Sequence, residues 1–217
     1  SDFISKSDFD DAFVKSAFGA FPKRVHEGDE DKIKLLAYHE AGHALVTKLF
    51  TNDKVHKVTI VGTTGGTGGF TSITPEKETM SSKDDLFNRI RINYGGRIGE
   101  YLLYDKDDSK ITTGASGDLR SISDLLDYII REVGMYDDML FKLSESEYSN
   151  SEVLKYKKEL SKKLYNETLA SLEANIDILH AISDALFEKE TLNDEELNEI
   201  ISSHEVVYIE NMNKKYA

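Results

Sequence analysis

His39-Glu40-Ala41-Gly42-His43 is the stretch of this chain whose residue types and spacing speak most directly of chemistry. On a helix, residues four apart lie on one face, so both imidazoles can bind one metal ion. Glu40 lies beside them and can reach a water on that ion. Zinc accepts imidazole and carboxylate ligands and leaves a fourth position open for water. It brings the pKa of that water to about 7, and Glu40 can then take the proton and pass it to a leaving amine. The plain alternative is two ordinary helix histidines flanking a solvent-facing glutamate.

A zinc site needs a third protein ligand. The extended form of the pattern requires Gly and His where Val46 and Leu49 stand, so the ligand comes from farther along. His56 falls in an expected strand and is one candidate. His180 and His204 fall in the terminal helical region and read as surface or core residues. The acidic candidates are Glu100 and Asp118, and spacing does not choose between them. Arg97 follows Gly95-Gly96 and reads equally as an organiser of carboxylates such as Glu100 or as a surface arginine. Each helix-interior glycine costs about 1 kcal/mol relative to alanine, so the Gly95-Gly96 pair points to a close helix crossing or a bend.

The elements that must position these residues follow from periodicity and breakers. Ser7 to about Gly19 reads as a short helix, and His26–Lys32 as a polar linker. An amphipathic helix is expected from about Asp31 to Phe50, carrying the two histidines. Val55–Val61 is rich in β-branched residues and reads as a strand. Gly62–Gly69 is a glycine-rich turn without the Lys-Ser/Thr ending of a phosphate loop. Phe70–Ile73 reads as a second strand, which makes a hairpin with the first. Glycines beside a short edge strand permit close backbone approach. An extended peptide can therefore pair along Gly68, Gly69, Phe70 and Thr71. A helix is expected from Ser82 to about Tyr104, with Ser82 and Asp85 in capping-box positions. A polar loop, Asp105–Gly117, leads to an amphipathic helix over Leu119–Val133 that ends at Gly134. Ser144–Ser151 is an acidic loop. Glu152–Glu188 is helical by pattern with a break near Asn175, and Asn193 caps a last helix to about Ser202. The fold class is mainly α with a small β-hairpin or sheet near the histidine helix.

Composition bounds the function. The 217 residues suit one domain with a small appendage. There are no cysteines, which excludes disulfide frameworks, thiolate zinc sites and cysteine nucleophiles. Forty acidic against 27 basic residues leave a net charge of -13, a surface that repels nucleic acid and anionic lipid. No apolar run approaches the roughly 20 residues of a membrane span. No signal peptide is expected at the start, and a membrane anchor would have to lie outside this chain.

Three stretches in one order resemble a known family: Ala37-Tyr38-His39-Glu40-Ala41-Gly42-His43-Ala44, then Gly95-Gly96-Arg97, then Thr112-Thr113-Gly114-Ala115-Ser116-Gly117-Asp118-Leu119. Together they resemble the peptidase domain of the FtsH-like, ATP-dependent AAA+ zinc proteases. Glu190-Thr191-Leu192 extends the likeness towards the end of the chain. Asp8-Phe9-Asp10-Asp11-Ala12 resembles the last helix of the ATPase module that precedes the protease. The resemblance implies residues 1–30 as an ATPase tail and linker, 31–205 as the zinc peptidase, and 206–217 as a C-terminal tail. It implies a helical zinc-metalloprotease domain in which Zn2+ is held by His39, His43 and Asp118. Glu40 would be general base and acid, with Glu100 supporting a histidine ligand or the local structure; Arg97 joins it as a supporting candidate on the reading of the residues above. It implies hydrolysis of unfolded polypeptide, a hexameric ring, and an AAA+ motor in the same parent chain, anchored to a membrane with the peptidase on its cytoplasmic side. No Gly-x-x-x-x-Gly-Lys-Ser/Thr occurs here, so the chain is expected to be either an excised part of such a protein or a protease that works without that motor, and the ATPase-like stretch at its start favours the first. A metal-free or inactive assembly module is the rival expectation, and a zinc peptidase using Glu100 as third ligand is another.

Overall fold

The structure, a computed structural model, describes residues 28–64, 68–76, 80–137 and 150–209, together with Lys15 and Lys142. The helix expected over Ser7–Gly19 lies outside the described residues except for Lys15, which is helical.

The Asp29 side chain accepts from the Lys32 backbone N–H and opens helix α1, Glu30–Phe50. Such a cap satisfies an otherwise orphan donor of the first turn. Sequence periodicity suggests a one-sided, amphipathic helix. Instead α1 is enclosed on nearly every side between Ala37 and Thr47. The small residues Ala37, Ala41, Gly42 and Ala44 allow this, because they let neighbouring elements approach from several directions.

Strand β1, Lys54–Thr59, and strand β2, Phe70–Thr74, pair antiparallel as the hairpin pattern requires, with a register shift between Val55 and Lys57. The first strand stops at Thr59 and does not reach Val61. Its Thr59 hydroxyl accepts from the Val61 N–H, which turns the chain. A third strand not foreseen from the sequence, β3 (Thr191–Asn193), pairs with the other side of β1. The sheet order is β2-β1-β3, so β2 is an edge strand.

Ser82 and Asp85 form the expected capping box at the start of helix α2, Lys83–Leu103. The Gly95-Gly96 pair makes a crossing, not a bend: α2 runs through it unbroken. A Cβ on Gly42 would overlap the Gly95 carbonyl of α2, and one on Gly95 would come within 2.6 Å of the Gly42 carbonyl. Only two backbones without side chains meet at that separation.

After a short 3-10 turn at Asp108–Lys110, helix α3 spans Ser116–Asp127 and continues as a wider π turn, Tyr128–Glu132. This replaces the single α-helix expected to Val133, and Gly134, at φ 57°, then ends it. Ile129 and Ile130 are both fully buried in that turn. Helix α4, Asn150–Ala174, is separated from α5, Ile176–Lys189, at Asn175, as the pattern suggests. Of the acidic loop expected over Ser144–Ser151, Asn150 and Ser151 belong to α4; residues 144–149 lie outside the described residues. The buried Asn175 amide donates to the Ser171 and Val207 carbonyls, and its oxygen accepts from the Val207 N–H. It thus stands in for a strand partner and holds the segment around Val207. Asn193 and Glu196 cap α6, Asp194–Ser202, with a second capping box.

The core lies where α1 crosses α2, α4 and α5, around Leu45, Ile90, Ile98, Leu164, Ile178 and Ile182. Each such side chain contributes about 1.5–3 kcal/mol on burial. Among the described residues no helix is long and apolar enough to cross a membrane.

Candidate metal centre

The middle of α1 delivers His39 and His43 to one face, one turn apart, with their rings edge to face at 4.7 Å. The far end of each ring decides what the near end can do. His43 Nδ1 lies 2.7 Å from the Ile92 carbonyl oxygen. A carbonyl only accepts, so Nδ1 carries the hydrogen and Nε2 presents its lone pair. His39 Nδ1 donates in the same way to Glu100 Oε1, 2.8 Å away. Glu100 is 1% exposed, and its other oxygen accepts from the Thr112 N–H at 2.9 Å and the Thr112 hydroxyl at 3.1 Å. Burial alone would raise the Glu100 pKa. The hydrogen bonds from His39 and Thr112 outweigh it and hold the carboxyl below its ordinary value.

The lone-pair ends of the two histidines therefore converge. Their Nε2 atoms are 3.1 Å apart, and Asp118 Oδ2 lies 3.4 Å from the first and 3.6 Å from the second. Asp118 arrives on the first turn of α3, where the helix N-terminus favours a negative charge. The point equidistant from these three atoms in their plane lies about 2 Å from each, the length of zinc–nitrogen and zinc–oxygen bonds. Three lone pairs this close repel unless a cation sits among them. The donor set thus fits a divalent ion of zinc's size, and these three residues form the one such group found among the described residues. Gly96 leaves room for it: a Cβ there would stand 2.5 Å from both Nε2 atoms.

Without a metal, a proton serves as the cation. Burial alone would lower the His39 pKa, but the hydrogen bonds to Asp118 and Glu100 and the charges of Glu40 and Asp118 raise it to about 10. Asp118 is likewise pushed up by burial and more strongly down by the two histidines, ending well below the usual carboxylate range. The folded-state value of His39 exceeds its ordinary 6.5, so its contribution to metal-free stability is complete below pH 6.5 and is lost as pH rises through about 10. Asp118 and Glu100 act oppositely. Their contributions are present above their ordinary values of 3.8 and 4.5 and fade as the medium becomes more acid. The metal-free chain is expected to melt highest between about pH 5 and 6.5, and progressively lower towards pH 10. Calorimetry in chelator measures this, and a melting temperature flat from pH 6.5 to pH 10 would remove the buried imidazolium.

Glu40 is 4% exposed and borders the same centre. Its Oε2 accepts from the Thr71 hydroxyl of β2 at 2.8 Å. The centre opens into a cleft of about 900 Å³ whose walls include Leu36, Gly68, Gly69, Phe70 and Ile73. All four residues expected to meet a peptide strand, Gly68 to Thr71, line that cleft.

The remaining candidates do not converge. His56 is exposed beside the register shift of β1 and contacts the Thr74 hydroxyl. His180 packs against the Tyr38 ring. His204 Nδ1 bonds the Ile200 carbonyl one turn back in α6. Glu100 lies at the Nδ1 end of His39, opposite the converging lone pairs. The Arg97 charge acts on Tyr94 and Tyr165, and its Nε is buried without a hydrogen-bond partner among the described residues. Sequence reasoning gave no role to the Ile92 carbonyl or to Thr112. Only the second left a signal, by lying in the Thr112–Leu119 stretch.

The profile of peptidase family M41 matches residues 26–200. The chain belongs to peptidase family M41. The M41 match contains His39, Glu40, His43, Glu100 and Asp118, so the whole centre lies inside it. Curated relatives match along nearly the full chain. An "ATP-dependent zinc metalloprotease FtsH 1" from Alkaliphilus metalliredigens is 36% identical over 210 residues, covering 93% of this chain and 35% of the relative. An "ATP-dependent zinc metalloprotease FtsH" from Lachnoclostridium phytofermentans is 34% identical, covering 92% of this chain and 35% of the relative. One from Streptobacillus moniliformis is 35% identical, covering 95% and 31%. This M41 chain thus spans about a third of the length of the curated relatives it matches.

Proposed function

We propose that this chain is a zinc-dependent endopeptidase, the proteolytic part of an ATP-dependent protease, which hydrolyses peptide bonds of unfolded polypeptide. The observation that carries this reading is the convergence of three lone pairs, from His39 Nε2, His43 Nε2 and Asp118 Oδ2, beside a buried glutamate and at the floor of a cleft. The zinc in the relatives' names supports the choice of ion.

His39, His43 and Asp118 are the ligands in this reading. Zinc bound there polarises a carbonyl and lowers the pKa of a water to about 7. Glu100 and the Ile92 carbonyl keep both imidazoles in the tautomer that exposes Nε2. Glu40 takes the proton from the attacking water and returns it to the leaving amine. An extended substrate pairs along β2, the edge strand of the sheet, and only an unfolded segment can offer its backbone in that way.

The share of each relative that the chain covers supports a partnership with an AAA+ motor in the same parent protein. In that setting the peptidase acts within a hexameric ring. Its parent is held to a membrane by other segments, with the peptidase on the cytoplasmic side. A surface carrying -13 gives no footing to nucleic acid.

Zinc per chain, measured on protein purified without an affinity metal, is the direct test. About one equivalent, with casein hydrolysis that chelator stops and zinc restores, is the expected result. Well under one equivalent, with no uptake of added zinc, would overturn the reading in favour of an assembly module.

A further inference from the structure

We infer that Thr71 is a positioning residue: its hydroxyl locks the Glu40 carboxylate in the orientation that proton transfer requires. The inference rests on the peptidase reading above and assigns Thr71 a task beyond lining a substrate strand.

Glutamate has three rotatable side-chain bonds, and a general base must hold its proton-accepting oxygen within hydrogen-bond reach of the water it activates. Among the described residues Thr71 is the one side chain that donates to the Glu40 carboxylate, at 2.8 Å from Oε2. The same hydroxyl lies 3.3 Å from the Glu40 backbone carbonyl. A hydroxyl carries one hydrogen, so the shorter, charge-assisted contact takes it. A second feature, one residue before β2, serves the same end. Gly69 and Thr71 are two apart and both lie against Glu40. A Cβ on Gly69 would stand 2.6 Å from the Thr59 carbonyl oxygen and 3.1 Å from both Glu40 Cγ and Oε1. Gly69 therefore lets the chain lie close to β1 and to the carboxylate that Thr71 grips.

The sheet fixes where the hydroxyl stands. Thr71 lies opposite Val58 and Phe70 opposite Thr59, and a slip of one residue would turn Thr71 to the other face. With its hydroxyl committed inwards, the Thr71 side chain is not free to read substrate side chains. At this position β2 offers a peptide its backbone only, so the strand that receives substrate also aims the base.

Two substitutions separate the hydroxyl from the strand. Thr71→Val keeps the branched shape and the strand preference but removes the donor. Thr71→Ser keeps the donor and weakens the strand preference. A purely structural role predicts that Val outperforms Ser, and the positioning role predicts the reverse. With an unstructured peptide as substrate, Thr71→Val is expected to lower kcat about 10- to 100-fold, with KM and zinc content near wild type. Thr71→Ser is expected to stay within about threefold of wild type.

A readout without turnover accompanies this. In metal-free protein carrying 13C-labelled glutamate, the Glu40 Cδ resonance, assigned by its loss in Glu40→Gln, is expected to move in Thr71→Val and stay in Thr71→Ser. An active wild type with an equally active Thr71→Val, a parallel fall of both variants, or an unmoved resonance would each overturn the inference alone. A wild type that holds no zinc and cuts nothing would overturn the peptidase reading and this inference with it.

Discussion

Replacing Glu40 with Gln is expected to leave zinc content unchanged and to lower peptide hydrolysis by about 10²- to 10⁴-fold, the usual share of a general acid–base group. The geometry makes the two readouts separable. Glu40 stands outside the triangle of His39 Nε2, His43 Nε2 and Asp118 Oδ2, so its replacement removes no lone pair from the centre. Gln has nearly the same shape as Glu, and its amide oxygen can still accept from the Thr71 hydroxyl. What Gln cannot do is accept a proton from water at neutral pH and give it to the leaving amine. Casein cleavage and elemental analysis on the same preparation measure both effects. Hydrolysis persisting at the wild-type rate, still chelator-sensitive, would remove Glu40 from the mechanism. Loss of zinc in Glu40→Gln would show that the glutamate supports the metal and not the proton.

The helices were largely legible because their ends are written locally. Ser82 with Asp85, and Asn193 with Glu196, are capping boxes visible three residues apart, and both form. Asn175 breaks the long terminal helix where the pattern falters, although its grip on Val207, 32 residues away, has no local sign. Strand β3 was missed for the same reason. Three residues are too few to show alternation, and Leu192 is fully buried only because Val58 pairs with it from the far side of the chain. Spacing on one helix was enough to unite His39 and His43. It could not reveal what fixes their tautomers, since Ile92 and Glu100 lie 49 and 61 residues from the rings they hold. Nor could it rank Glu100 against Asp118. Both are acids on other helices, α2 and α3, and they differ in which end of one imidazole they meet: Glu100 is at Nδ1, Asp118 at Nε2.

That difference makes the second large effect. Asp118→Ala is expected to strip zinc from the chain and abolish hydrolysis, because only two lone pairs would then converge. Glu100→Gln is expected to weaken zinc binding only about 10- to 100-fold, the usual consequence of disturbing a group that orients a ligand. The Gln oxygen can still accept from His39 Nδ1. Its amide nitrogen then faces the Thr112 N–H, donor against donor, where Glu100 Oε2 accepts at 2.9 Å. The loop leading to Asp118 loosens, but the triangle survives. Competition titrations against a chelator, on variants whose helical circular dichroism matches wild type, distinguish the two outcomes. Zinc lost in Glu100→Gln and kept in Asp118→Ala would invert the assignment: the third ligand would be Glu100, reached by a turned His39 ring. The ring is pinned at both ends, by Glu100 at one and by the facing Asp118 and His43 at the other. Such a turn would break the Glu100 hydrogen bond and swing a lone pair out of the convergence, which is the physical ground for proposing Asp118, and not Glu100, as the third ligand.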